Sequence, residues 1–178
     1  MATGKNNTKK NEKAEAPERT NLYLRGVITE AMYGKREFKR GSDSKDKYRI
    51  SLKVVPEDME KLIEAAEPYY ENTDSKWLPK WYTDEDAREY LNLSSNFDLK
   101  IGMKNEAGQL EDLGTMMSYI EANGNINGSK VIIMVTLKEG AIYPQAILIK
   151  ELHQTNISDL FKDAEGFMDF DGGELPFE

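Results

Sequence analysis

The sequence predicts a mainly β protein: a small, partly open barrel of five strands, with helices inserted between them and a disordered tail at each end. Three observations carry this. Residues 21–29 and 47–55 alternate apolar and polar side chains with the period of half-buried strands. Two apolar runs, 130–138 and 142–150, are joined by Glu139-Gly140-Ala141, a short reversal. Helical periodicity is clearest in the stretch after Pro56. At 178 residues with 39% hydrophobic content, the chain can bury one substantial core.

Residues 1–20 are mostly Lys, Asn, Glu and Ala, with almost nothing to bury, so ordering them would cost backbone entropy without return. They read as a flexible arm before a single domain over 21–155. In the first strand, Leu22, Leu24 and Ile28 share the apolar pattern. In the second, Tyr48, Ile50, Leu52 and Val54 share one face and Arg49, Ser51, Lys53 and Val55 the other. The Gly, Ser and Asp content of 34–46 suits a projecting hairpin loop. Met59, Leu62, Ile63 and Ala66 then recur at helical spacing. Thr83 with Asp86 resembles a capping box opening a short helix through Leu91, so a helical insertion is expected over about 56–95. A third strand is expected over 96–103, with Phe97, Leu99 and Ile101 on one side, followed by a turn at 105–108. The hairpin of 130–150 closes the core, with Pro144 marking an edge or bulge. Five strands with helices between them fit the oligonucleotide-binding (OB) barrel.

Charge is unevenly distributed. The formal net charge is -8, yet 21–55 carries nine bases against four acids, a local +5, while 156–178 carries seven acids against Lys162 alone, a local -6. Residues 56–128 hold sixteen acids to six bases. No apolar run approaches the roughly 20 residues that span a bilayer, and the N-terminal stretch lacks the apolar core of a secretory signal, so a cytoplasmic protein without membrane contact is expected. The absence of cysteine excludes a disulfide framework and a thiolate metal site. His153 is the single histidine, and no phosphate-binding loop, nucleophile elbow or zinc-protease motif is present. Asp169-Phe-Asp-Gly-Gly-Glu174 fails the calcium-loop pattern, which needs Gly where Glu174 stands. Neither catalysis, a cofactor nor a metal is expected.

Bases interleaved with aromatics are the stronger signal, because single-strand binding couples phosphate neutralisation to base stacking. Tyr23 and Arg25 oppose the apolar row of the first strand, and Lys47, Arg49 and Lys53 oppose that of the second. The loop between adds Tyr33, Lys35, Arg36, Phe38, Lys39 and Arg40. These residues are the candidate contacts to single-stranded DNA, against the plainer reading of a solvated strand face. Trp77 and Trp81 either stack on bases or cap the core; Tyr143 can face either way.

Residues 167–178 read Phe-Met-Asp-Phe-Asp-Gly-Gly-Glu-Leu-Pro-Phe-Glu, apolar side chains spaced by acids and suited to docking on another protein. Over 168–177 the stretch resembles the C-terminal tip of bacterial single-stranded DNA-binding proteins, which typically reads Met-Asp-Phe-Asp-Asp-Asp-Ile-Pro-Phe. The layout of acidic tail and inserted helices is similar to that of phage or mobile-element members. The resemblance implies an OB domain that coats single strands in replication, recombination or repair, in the cytoplasm of a bacterial host, with a homo-oligomer as one option. It also implies a partner-binding segment comprising Asp169, Phe170, Asp171, Glu174, Leu175, Pro176 and Phe177. Gly172 replaces an acid, one residue is added before Leu175, and Glu178 follows the Phe. A strand-annealing mediator and an acidic adaptor or DNA mimic are the alternatives.

Overall fold

Seven strands and three α-helices make up the computed structural model, which describes residues 17–34 and 45–153; the rest of the predicted N-terminal arm, the middle of the basic loop and the acidic tail lie outside the described residues. In chain order the elements are β1 (Thr20–Gly34), β2 (Lys47–Val54), α1 (Pro56–Tyr70), α2 (Lys80–Thr83), β3 (Leu91–Ser95), β4 (Lys100–Lys104), β5 (Leu110–Thr115), α3 (Met116–Asn123), β6 (Lys130–Lys138) and β7 (Ala141–Glu151). They form one open mixed sheet in the order β3-β2-β1-β6-β7-β4-β5. All pairs are antiparallel except β4 with β7.

The expected mainly β class is what the chain adopts, with seven strands in one open sheet where the sequence predicts five. The single strand expected over 96–103 is replaced by two strands at different places in the sheet: β3 pairs with β2, and after four residues β4 runs parallel to β7. Leu110–Thr115 then returns as β5 along β4, a strand that its polar, Gly-containing sequence does not announce. The sheet curls enough for Cα atoms of β3 and β7 to approach within 8 Å. The expected helix from Thr83 through Leu91 is also corrected. Asp84 accepts from the Asp86 N–H at 3.0 Å, one 3-10 turn follows over Asp86–Arg88, and Leu91 already opens β3.

The inner face of the curl is the core. Leu24, Ile28, Ile50, Leu52, Leu91, Leu93, Ile101, Val131, Ile133, Val135, Ile147 and Ile149 line it, with Met59 and Leu62 of α1 packed against them. Helix α1 starts where it does because Pro56 is preset for the first turn and Glu57 and Asp58 favour the positive end of the helix dipole. Met59, Leu62, Ala66 and Tyr70 fall on one stripe and are buried. The β6–β7 reversal uses Glu139 (φ 52°) and Gly140 (φ 80°), a two-residue turn whose left-handed conformations match strand twist. A Cβ on Gly140 would lie 3.1 Å from the Tyr70 ring, and the Tyr70 hydroxyl donates to the Gly140 carbonyl, so the end of α1 is pinned to this turn. Burial, then Tyr82, pushes the Tyr70 phenol above its ordinary value. Pro144 sits at the expected irregularity: the β6–β7 register shifts between Met134 and Val135, which pair with Ala146 and Pro144. No helix among the described residues is long and apolar enough to cross a membrane.

Candidate nucleic-acid interface

A β-bulge between Ile28 and Glu30 resets the side-chain alternation of β1, so Tyr33 pairs directly with Tyr48 of β2. Their ring centroids lie 4.7 Å apart. Tyr48 packs against the edge of the core, and Tyr33 beside it stays half exposed. Tyr48 in turn pairs with Ser95 at the end of β3, and two residues on stands Phe97, 80% exposed, with its N–H donating to Ser95 Oγ at 3.0 Å. Phe97 was expected in the core with Leu99 and Ile101, which are buried. The chain leaves β3 at Ser95 and only re-enters the sheet at Lys100, so the alternation on which that expectation rested does not hold across Phe97.

Lys47 and Arg49 flank Tyr48 in β2 and project from the opposite face, with Lys45 just before the strand. The Arg49 guanidinium donates to the carbonyls of Gly34 (3.1 Å) and Lys45 (3.4 Å), tying the two stems of the hairpin together. Both acceptors are neutral, so the charge is not cancelled. From Gly34 the chain departs into the segment holding Lys35, Arg36, Phe38, Lys39 and Arg40, which lie outside the described residues.

Arg25 and Lys53, grouped with these by sequence, are engaged elsewhere. Arg25 bonds the buried carboxylate of Asp58 through Nε (2.8 Å) and Nη2 (2.9 Å), its own backbone N–H donates to the same carboxylate at 2.8 Å, and Nη2 reaches Glu57 at 3.3 Å. The pair fastens the first turn of α1 to β1. The Arg25 hydrogen bond, supported by its charge and N–H, outweighs burial and lowers the Asp58 carboxyl to about 2. Lys53 pairs more loosely with Glu89 at 3.7 Å.

The outward face of β1, β6, β7 and β4 is a second surface. Register aligns Tyr23 with Met134, Ala146 and Lys100, and Arg25 with Ile132, Leu148 and Gly102. Tyr23 is 64% exposed, and with Ile132, Met134, Leu148, Leu110 and their neighbours it lines an open trough of about 530 Å³. Trp77 is largely exposed with Lys76 Nζ 5.6 Å from its ring. Trp81 is half-buried against Tyr70 and Tyr82, centroids 6.1 and 6.0 Å away. It caps the core at the end of α1.

The structure thus places Tyr33, Lys47 and Arg49 at one hairpin end, the ring on one face and the two bases on the other, sets Tyr23 on a different part of the sheet, and places Arg25 and Trp81 in structural contacts. Asp169, Phe170, Asp171, Glu174, Leu175, Pro176 and Phe177 lie outside the described residues. Sequence reasoning missed Phe97, and the placing of Lys100 beside Tyr23, with Tyr143 and Lys150 farther along the same face, needed the sheet order to become visible. Comparison of the chain with protein-family models, curated proteins and solved structures finds no match.

Proposed function

We propose that the chain binds single-stranded DNA without marked sequence preference, as an OB-type module, in replication or recombination in a bacterial cytoplasm. The observation that carries this reading is the end of the β1–β2 hairpin. Tyr33 and Tyr48 pair there, Phe97 stands exposed two residues beyond Ser95, and Lys47 and Arg49 project from the opposite face of the same hairpin end, next in sequence to the four further bases of 35–40. Phosphates need the cations and splayed bases need the rings, and base stacking contributes about 1 to 3 kcal/mol per base whatever the base is.

The strand layout supports the OB part of the proposal. β1 is flanked by β2 and β6, β3 lies beyond β2, and β7 beyond β6. Because β4 continues from β3 after four residues and runs parallel to β7, the bent segment 91–104 touches both flanks of the curl. A five-strand ring closed by one bent strand has this connectivity, with β5 as an addition outside it. The acidic 168–177 segment is assigned to partner recruitment on its resemblance to the single-stranded DNA-binding proteins.

The acidic adaptor reading has support of its own in α1, whose Glu57, Glu60, Glu64 and Glu67 are all exposed. Titrating the intrinsic Trp and Tyr fluorescence with oligo-dT separates the two. DNA binding gives saturable quenching at low salt; no saturable change refutes the proposal and leaves the acids as the working surface.

A further inference from the structure

We infer that the outward face of β1, β6, β7 and β4 is a second contact surface for single-stranded DNA, remote from the hairpin end. The inference rests on the functional reading above. Its first support is charge. In a chain of net charge -8, β4 and β6 contain no acid, and the single acid of β7, Glu151, is held by Lys130 at 2.7 Å, which keeps its carboxyl below the ordinary range. Lys100, Lys104, Lys138 and Lys150 are exposed and have no ion-pair partner among the described residues. Acids stand at the margins: Glu111 and Asp112 line the β5 side of the trough, Glu18 and Glu139 lie by Tyr143 and Lys138, and Glu57 is held by Arg25. A polyanion is the partner such a surface attracts.

The second support is what lies between the lysines. Tyr23, 64% exposed, projects over a floor of Ile132, Met134 and Leu148, and Tyr143, 47% exposed, lines a neighbouring hollow with Thr136 and Lys138. An exposed ring on an apolar floor with Lys100 at its edge and further lysines along the same face suits unstacked bases with their phosphates at the rim, whereas duplex DNA keeps its base faces stacked away from such a ring. Tyr23 stands ten residues before Tyr33 on the same strand, about 30 Å away at strand rise. The two surfaces are therefore separate footprints, and an oligonucleotide long enough to bridge them gains from both.

The test uses the full chain and a labelled oligo-dT long enough to span that distance. Lys100→Gln with Lys150→Gln is expected to weaken binding about tenfold and to make the plot of log affinity against log salt shallower by about 1.4, the counterion release of two phosphates on a single strand. Tyr23→Ala is expected to weaken binding about tenfold with the slope unchanged, and Tyr23→Phe to restore it. If the parent chain binds saturably and these variants bind identically to it, the second surface is refuted while the functional reading stands. If the parent chain does not bind, the functional reading fails, and this inference with it. Sedimentation of Met134→Glu supplies the remaining arm: a dimer that becomes a monomer with unchanged DNA affinity would assign the face to a second copy and overturn the proposal.

Discussion

Arg25→Ala is the perturbation whose effect follows most directly from the geometry. It removes both guanidinium bonds to Asp58 and leaves a carboxylate whose side chain is 3% exposed with the backbone N–H of residue 25 and Lys61, 3.5 Å away. Breaking a buried ion pair from one side costs about 3 to 5 kcal/mol, and since Arg25 is half exposed, solvent screening brings the expectation down to about 2 to 3. Urea unfolding at neutral pH reads this as a lower midpoint with an unchanged slope. The pH dependence has a definite sign. Asp58 moves from its ordinary 3.8 to about 2 on folding, so its stabilisation is complete above about pH 4 and is lost as pH falls toward 2. That loss amounts to about 1 to 2 kcal/mol after the same discount, and it should shrink in Arg25→Ala. The clamp role also predicts that folded Arg25→Ala keeps its oligo-dT affinity within about threefold. An unchanged urea midpoint together with a tenfold loss of DNA affinity would refute the reasoning and make Arg25 a DNA contact.

Other expectations are simpler to state. Gly26→Ala would put a Cβ 2.7 Å from the Lys53 carbonyl oxygen, backbone against backbone, and should destabilise the β1–β2 pairing by about 2 kcal/mol, read as a fall in thermal midpoint. Trp81→Ala should cost about 2 to 3 kcal/mol because it uncaps the packing of Tyr70 and Tyr82, whereas Trp77→Ala, in an exposed position, should stay within about 0.5; equal losses would contradict the burial pattern. On the proposal that the local -6 of 156–178 competes with phosphates for the basic surfaces, deleting it should tighten oligo-dT binding at low salt and let it converge with the parent at high salt. Unchanged low-salt affinity would sink that idea.

Where alternation was strong, the sequence located the elements closely: β2, β6 and β7 start or end within a residue of the expected positions, and α1 follows its apolar spacing from Pro56. Failures cluster in 83–115. Leu91-Asn-Leu-Ser-Ser and Leu-Glu-Asp-Leu-Gly-Thr are short, polar strands held in the sheet by their neighbours rather than by their own pattern, and local propensity cannot report that. Phe97 was misassigned for the same reason, since its alternation with Leu99 and Ile101 crosses a break in the strand. The candidate site was legible as residue types and not as partnerships. Nothing in the sequence says that Asp58, 33 positions away, claims Arg25, or that the lysines of three separate strands share a face with Tyr23.

The central claim is that this acidic chain holds a single DNA strand through cationic surfaces, and the salt dependence of oligo-dT binding tests it most directly. Three to five phosphate contacts predict that the logarithm of the affinity falls with the logarithm of salt concentration at a slope of roughly -2 to -3.5. The Arg49→Gln variant should be weaker and its slope shallower by about 0.7. An affinity indifferent to salt, or no binding at the lowest salt, would contradict the account.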